Sequence, residues 1–184
     1  AIFALMLFVF LIPALIIIAL LVKMSSRGRV FYTQVRVGKD GREFTIIKFR
    51  TMVENAESNT GAVYTADNDP RITKVGKFLR KWRLDETPQL LNVIKGEMSL
   101  IGPRPERYVF IKEFEEKIPF YAQRLAVRPG LTGWAQVKYP YASSIEQTEE
   151  KLQYDLYYIK NMSFILDLVV LLKTTKVVLF GSGK

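Results

Sequence analysis

The residues that most constrain this chain are its first ones, because positions 1–22 contain no charged side chain. Their number matches the ~20 residues that a helix needs to cross the hydrocarbon core of a bilayer. Pro13 removes one backbone hydrogen bond from that helix and predicts a kink. A kinked apolar helix can span the membrane or turn back as a re-entrant hairpin, and hydropathy alone favours spanning. Lys23, Arg27 and Arg29 follow, so the positive-inside rule predicts that the rest of the chain is cytoplasmic.

The net charge and the absence of His and Cys restrict the partners and the catalytic chemistry that this chain can have. The 184 residues suffice for one domain with a core, and the net charge of +9 implies anionic partners such as phosphorylated small molecules or anionic lipid. Nucleic acid is the least favoured partner, because the cations are spread along the chain and an apolar helix precedes them. The chain has no His and no Cys, which excludes Ser-His-Asp catalysis, thiol catalysis and the usual zinc sites. Any metal is expected to be hard and oxygen-bound, either Mg²⁺ or Mn²⁺.

Residues 23–184 are predicted to form one α+β domain that is mostly helical. Strands at 30–35 and 43–49 flank Gly38-Lys39-Asp40-Gly41, and Asp-Gly is a strong hairpin signal. Residues 54–70 are polar and predict a loop. Periodic apolar residues predict further helices at 75–80 (with Phe78 and Leu79 inward), 106–117, 146–160 and 164–180. The last of these is apolar but interrupted by charges, which is typical of an interfacial amphipathic helix or of a buried C-terminal helix.

Two adjacent carboxylates, Asp85 and Glu86, lie between a basic segment and a predicted helix start. Thr87 is a suitable N-cap and Pro88 suits the first helical position, so a helix is predicted from there to Gly96. Carboxylates at this positive end stay ionised, and a phosphate can bind at the same place. The alternative is that the acid pair only caps the helix and forms ion pairs with nearby arginines.

Four cations elsewhere are candidates for binding phosphate. Arg104 is bracketed by two prolines, which restrict its backbone and hold its planar guanidinium in place. Arg128 opens a segment rich in glycine and proline, which predicts a close backbone approach. Lys48 and Arg50 lie at the predicted hairpin, where the alternative is that they are solvated charges on an edge strand.

Several short segments are each weak evidence for a family, but the order in which they occur is a strong signal. They are Lys48-Phe49-Arg50-Thr51-Met52, Leu84-Asp85-Glu86-Thr87-Pro88-Gln89-Leu90 with Asn92, Lys95-Gly96-Glu97-Met98-Ser99, Gly102-Pro103-Arg104-Pro105, Arg128-Pro129-Gly130-Leu131-Thr132-Gly133, Ala135-Gln136-Val137, and Tyr154-Asp155 with Tyr157-Tyr158 and Lys160-Asn161. In this order, after an apolar helix that contains proline, they resemble the bacterial sugar transferases known as monotopic phosphoglycosyl transferases. The likeness covers essentially the whole chain.

The resemblance implies transfer of a sugar-1-phosphate from a nucleoside-diphosphate sugar, usually a UDP sugar, to undecaprenyl phosphate. UMP would be released in this first membrane step of exopolysaccharide, capsule or O-antigen synthesis. Similar enzymes use the matching Asp as a covalent nucleophile and need Mg²⁺, so we expect Asp85 and Glu86 to be catalytic and to bind the metal. We expect phosphate and substrate to be bound by a wider set of residues: Arg80, Lys48, Arg50, Arg104, Arg128 and Gln136.

The resemblance also bears on the membrane. It implies that helix 1–22 is re-entrant, against the preference from hydropathy, and that the catalytic domain lies on the cytoplasmic face of the bacterial inner membrane. Ile12 precedes Pro13 where small relatives often carry Ser, and residues 138–141 replace a frequent Asn-Gly-Arg, as in the exopolysaccharide branch. Because the chain begins with Ala, we expect it to be the C-terminal part of a longer protein. The sequence does not determine whether the protein forms a homo-oligomer.

A second hypothesis is a non-catalytic, membrane-anchored basic scaffold or lipid-binding module. Its basic surface would bind anionic lipid or a partner, and the acid pair would be structural. Release of a nucleotide from a UDP sugar distinguishes the two hypotheses, because only the enzyme produces it.

Overall fold

The computed structural model describes residues 2–58, 61, 69–139 and 144–180. Much of the predicted loop at 54–70 therefore lies outside the described residues, as do Pro140 and Tyr141. The described chain is mostly helical and contains two small sheets, which confirms the α+β class.

The apolar N-terminal residues form one helix, α1 (Ile2–Ser25), which continues through Pro13. At 1.5 Å per residue its length is about 36 Å, so by length and composition it is able to cross a membrane. Ala4, Ile18 and Val22 are buried, whereas most of the other side chains of α1 are exposed. Exposed apolar side chains of this kind are suited to contact with lipid.

The predicted hairpin is confirmed. Strand β1 (Phe31–Val37) pairs antiparallel with β2 (Glu43–Phe49), and Phe31 lies opposite Phe49. The connecting turn holds Asp40 and Gly41 at φ +55° and +75°, a conformation that Asp and Gly adopt more readily than other residues.

The acid pair lies on a 3₁₀ helix, Leu84–Gln89, between helices α2 (Lys74–Lys81) and α3 (Leu90–Ile94). Arg83 separates α2 from it with a left-handed backbone conformation, φ +56°. The prediction that a helix begins at Thr87-Pro88 is therefore wrong, because helical backbone begins three residues earlier. The Thr87 hydroxyl donates a 2.7 Å hydrogen bond to the Leu84 carbonyl oxygen instead of accepting one as an N-cap.

Both halves of α1 pack on the rest of the domain. Ala4, near the start of the helix, lies in an apolar cluster with Ile46 and Leu90. Val22, near its end, lies in another cluster with Leu79. Since these partners belong to β2, α3 and α2, each end of α1 is held next to the domain.

A second, parallel sheet joins two segments that are distant in sequence. Strand β3 (Ser99–Ile101) pairs with β4 (Gly130–Thr132), and the Gly130 amide donates a 2.9 Å hydrogen bond to the Pro103 carbonyl oxygen. A Cβ on Gly130 would lie 2.1 Å from the Gly102 nitrogen, so only glycine permits this approach. The close backbone approach predicted for this segment is thereby confirmed.

Helix α4 (Tyr108–Lys117) follows its predicted segment closely. A short helix α5 (Trp134–Lys138) was not predicted, whereas α6 (Ile145–Lys160) and α7 (Phe164–Leu179) follow their predicted segments closely. A 3₁₀ helix at Tyr121–Ala126 was not predicted.

The structure corrects one predicted orientation, that of Phe78, and shows how α7 packs. Leu79 is buried as predicted, but Phe78 is 55% exposed because the short helix α2 turns only one narrow face inward. In α7, Phe164 is 83% exposed while Val170 is fully buried. One side of α7 therefore packs on the domain, and the other side is exposed and apolar.

Candidate active site

Glu86 is the firmly held member of the acid pair. Its Oε1 accepts a 2.7 Å hydrogen bond from Lys48 Nζ, and its Oε2 accepts one of 3.2 Å from Arg104 Nη1. Arg83 Nη1 lies 4.0 Å from Oε2. Burial alone would raise the pKa of Glu86, but Arg104 and Lys48 outweigh it and hold that pKa well below its usual range. Glu86 is therefore an ionised carboxylate with cations on both oxygens.

Asp85 is buried like Glu86, but the two carboxylates differ in their pKa and in their hydrogen bonds. Burial, followed by the charge of Glu86, raises the pKa of Asp85 above its ordinary value, and Lys48 and Arg80 act in the opposite direction. None of the residues that the structure describes donates a hydrogen bond to the Asp85 carboxylate. Paired carboxylates in unlike environments are typical of sites where the two perform different tasks. Here one is committed to cations and the other is available for chemistry.

Separate elements bring the cations to the pair. Lys48 projects from β2, and Arg104 comes from the segment that follows β3. Burial lowers the pKa of the Lys48 amine while Glu86 opposes this shift, and the Glu86 carboxylate raises the pKa of Arg104. With Arg80 and Arg83, four cations face two carboxylates, and the excess of two positive charges favours a dianion such as a diphosphate.

Arg80 is the third predicted phosphate ligand that the structure brings to this site. It lies near the end of α2, where its Nε donates a 2.9 Å hydrogen bond to Thr51 Oγ1 and its charge acts on Asp85. Lys48, Arg80 and Arg104 thus surround the acid pair, as the sequence predicts.

The structure places the other three predicted ligands elsewhere. Arg50 is buried at the C-terminal end of α1, where it donates to the carbonyl oxygens of Ser26 (2.8 Å) and Arg27. Both of these residues follow the last residue of α1, and the same guanidinium also donates to the Val22 carbonyl oxygen at 3.4 Å, one of the last four carbonyl groups of the helix. Gln136 Nε2 donates to the Leu131 carbonyl oxygen at 3.4 Å, and Arg128 has an exposed side chain on the loop that leads into β4.

Sequence reasoning missed the buried support behind Arg104. Arg124 Nη2 donates 2.8 Å to the Arg104 carbonyl oxygen and 2.9 Å to Asp155 Oδ2. The Arg124 and Asp155 side chains are only 3% and 4% exposed. Asp155 was part of a recognised motif, but Arg124 carried no signal beyond being a charge in an otherwise apolar segment.

Glu106 is a second missed carboxylate. Its Oε2 lies 3.4 Å from Arg36 Nη1, and its Oε1 lies 3.7 Å from Lys151 Nζ. Burial would raise the pKa of Glu106, but Lys151 and Arg124 outweigh it and lower that pKa. The residue directly follows the segment of Arg104, so this ion-pair cluster braces the same loop.

The oxygen donors at this site suit a magnesium ion that is bound in part by other ligands. Within the described ranges no three Asp or Glu side chains gather as a metal site. Both oxygens of Glu86 are engaged by cations, which disfavours it as a direct ligand in this geometry. Asp85 is available, and Mg²⁺ commonly binds one or two carboxylates together with substrate phosphates. The site therefore fits a metal that arrives with a phosphorylated substrate.

Comparison with known proteins shows the family of this chain. Residues 1–181 match the family described as bacterial sugar transferase. The chain belongs to the bacterial sugar transferase family. This confirms the family that the sequence motifs indicated.

Three relatives illustrate the family. The UDP-N-acetylgalactosamine-undecaprenyl-phosphate N-acetylgalactosaminephosphotransferase of Aeromonas hydrophila is 49% identical over 93% of this chain and 40% of its own length. The UDP-glucose:undecaprenyl-phosphate glucose-1-phosphate transferase of Xanthomonas campestris pv. campestris is 43% identical over 88% of this chain and 34% of its own length. The exopolysaccharide production protein PSS of Rhizobium leguminosarum bv. phaseoli is 38% identical, over 89% of this chain and 84% of its own. The chain thus spans well under half of the first two relatives and most of the third.

Proposed function

We propose that this protein moves a sugar-1-phosphate from a UDP sugar to undecaprenyl phosphate. The observation that carries the proposal is the difference between the two carboxylates of the acid pair. Both oxygens of Glu86 accept hydrogen bonds from cations, whereas the Asp85 carboxylate is available beside those cations. The names of the Aeromonas and Xanthomonas relatives support both the donor class and the acceptor. The surplus of cations around the pair suits the diphosphate of the donor.

The proposed chemistry has two displacements at one phosphorus atom. An oxygen of Asp85 attacks the phosphorus that carries the sugar, the bond from that phosphorus to the bridging oxygen breaks, and UMP leaves with the electron pair. A phosphate oxygen of undecaprenyl phosphate then attacks the same phosphorus and releases the Asp85 carboxylate. The product is an undecaprenyl diphosphate sugar. Such transfers need mainly alignment and charge stabilisation, which Lys48, Arg80 and Arg104 are placed to provide.

Magnesium dependence is part of the proposal. Asp85, together with phosphate oxygens of the donor, would hold the ion, which when bound neutralises charge on the diphosphate. Removing divalent ions with a chelator should abolish transfer, and adding Mg²⁺ or Mn²⁺ should restore it. Full activity in the presence of excess chelator would contradict this part alone.

We also propose that α1 is re-entrant and that the domain lies on the cytoplasmic face of the bilayer. Ala4 and Val22 both pack on the domain, and this supports having the two ends of α1 on the same side of the membrane. Cysteine tags at both ends should then react only from the cytoplasmic side. Labelling of the N-terminal end from the opposite side would favour a spanning helix.

The decisive experiment compares Asp85→Asn with a matched control, Asp40→Asn. Asp40 is an exposed turn residue whose left-handed backbone also suits Asn, so this variant should retain activity. Asp85→Asn should remain folded but lose transfer of labelled sugar phosphate. Without acceptor, the parent chain incubated with the donor should gain the mass of one phosphosugar, and the Asp85→Asn variant should not.

Other outcomes have clear meanings. Near-normal turnover by Asp85→Asn would rule out Asp85 as the nucleophile. Release of UDP instead of UMP would indicate ordinary glycosyl transfer. No nucleotide product from a panel of UDP sugars would favour the non-catalytic scaffold.

A further inference from the structure

The outward face of α2 is a basic surface with an aromatic centre. Lys74, Lys77 and Lys81 are exposed on this face, and Phe78 between them is 55% exposed. The Trp82 ring lies 6.4 Å from that of Phe78, and Lys81 Nζ lies 5.7 Å from the Trp82 centroid. We call these five residues the α2 basic surface.

The opposite face of α2 fixes where this surface lies. Leu79 is 1% exposed and packs in the cluster that contains Ile18 and Val22 of α1. The α2 basic surface is therefore next to the C-terminal half of the apolar helix. It lies where the sequence of α1 changes from apolar residues to Lys23.

Further cations lie at the same end of α1. Lys23, Arg27 and Arg29 are all exposed there, and Met24 is 83% exposed. A helix end that carries exposed cations and an apolar side chain matches the boundary between hydrocarbon and headgroups, where Lys and Arg keep their charge in water. The α2 basic surface extends this boundary sideways onto the domain.

We propose that the α2 basic surface binds anionic phospholipid headgroups of the membrane. Charge complementarity selects them, because no ion pair with a described carboxylate occupies the three lysines. Lysines near an anionic leaflet contribute roughly fivefold each to binding, and Phe and Trp suit the interface. The inference rests on the membrane location in the proposed function. It adds a lipid contact that ends at Trp82, three residues before Asp85, and thereby orients the site toward the bilayer.

The test uses Trp82 as a local probe. The chain has two tryptophans, so Trp134→Phe leaves Trp82 alone. This variant is placed in phosphatidylcholine nanodiscs that contain a small share of phosphatidylglycerol. A nitroxide is attached near the headgroup of either lipid, and quenching of Trp82 is measured without donor or acceptor.

Anionic nitroxide lipid should quench Trp82 more strongly than the zwitterionic one. Changing Lys74, Lys77 and Lys81 together to Gln should abolish the difference, and so should about 1 M salt, where the screening length is about 3 Å. A matched control changes three exposed lysines on other elements to Gln and should keep the difference: Lys39, Lys112 and Lys117.

Three results would overturn the proposal. The first is a Lys74/Lys77/Lys81 variant in which Trp82 keeps the same preference for quenching by anionic lipid as in Trp134→Phe. The second is a control variant that loses this preference to the same extent. The third is displacement of the anionic lipid by one equivalent of undecaprenyl phosphate, which would indicate an acceptor site. Transfer activity in neutral detergent should be the same in both lysine variants. Quenching of Trp82 does not depend on turnover. The lipid preference can therefore be measured even if the protein does not catalyse the proposed transfer.

Discussion

Breaking the buried pair Arg124–Asp155 should cost this protein much of its stability. The two side chains are 3% and 4% exposed, and their N–O distance is 2.9 Å. Asp155→Asn removes one charge and leaves the guanidinium of Arg124 buried without its counter-ion. Arg124→Met does the converse and also removes the donor to the Arg104 carbonyl oxygen.

The size of the effect follows from burial. Removing one partner of a buried ion pair costs about 3–5 kcal/mol, because the other charge stays desolvated. In a domain of this length about 1 kcal/mol shifts Tm by about 2–4 °C, so each variant should lower Tm by roughly 6–20 °C. Asp155→Asn should lie at the lower end, since Arg124 keeps the Tyr121 hydroxyl and the Arg104 carbonyl oxygen as acceptors. The double variant should be clearly more stable than the sum of the two losses predicts.

Thermal unfolding in neutral detergent, followed by tryptophan fluorescence, measures all three variants. The surface pair Lys117–Glu113 is a suitable control, since its N–O distance is 2.7 Å but its side chains are 46% and 43% exposed. Glu113→Gln should cost under about 1 kcal/mol. Strictly additive losses, or an Asp155→Asn loss no larger than that of Glu113→Gln, would refute the reasoning.

Two further predictions concern backbone crowding and acid stability. A Cβ on Gly76 of α2 would lie 2.0 Å from the Thr51 carbonyl oxygen, so Gly76→Ala should destabilise by about 1–3 kcal/mol, whereas the same change in an open helix stabilises by about 1 kcal/mol. A raised Tm would contradict this. Hydrogen bonds from Arg71 lower the pKa of Asp69 to about 2, below its value in the unfolded chain. Their stabilisation is therefore complete above about pH 4 and is lost as the pH falls toward 2. Asp69→Asn should lower Tm at neutral pH, and the difference from the parent chain should vanish near pH 2. A difference that does not change with pH would show that the charge of Asp69 is irrelevant.

The elements predicted well are those whose signal is local. The hairpin follows from Asp40-Gly41 between alternating strands, and α6 follows from apolar residues at helical spacing. The start of the acid-pair helix was predicted wrongly, because Thr87-Pro88 is a good start signal by itself. The left-handed backbone of Arg83 begins the turn earlier, and no local pattern announces it.

The candidate site shows the same division. The sequence indicated the acid pair and the cations Lys48, Arg80 and Arg104, but not which carboxylate binds which cation. The structure commits Glu86 to Lys48 and Arg104 and leaves Asp85 available. The predicted role of Arg50 in phosphate binding stays a prediction that this geometry does not favour, since its guanidinium lies at the end of α1.

The sequence by itself determined the apolar helix, the hairpin, the later helices and the family, because each depends on neighbouring residues or on the order of short motifs. Only the tertiary structure decided that β3 pairs with β4, that Arg124 supports Arg104, and that both ends of α1 rest on the domain. These contacts join residues far apart in the chain. Their partners are selected by burial and charge in the folded core, which no local pattern records.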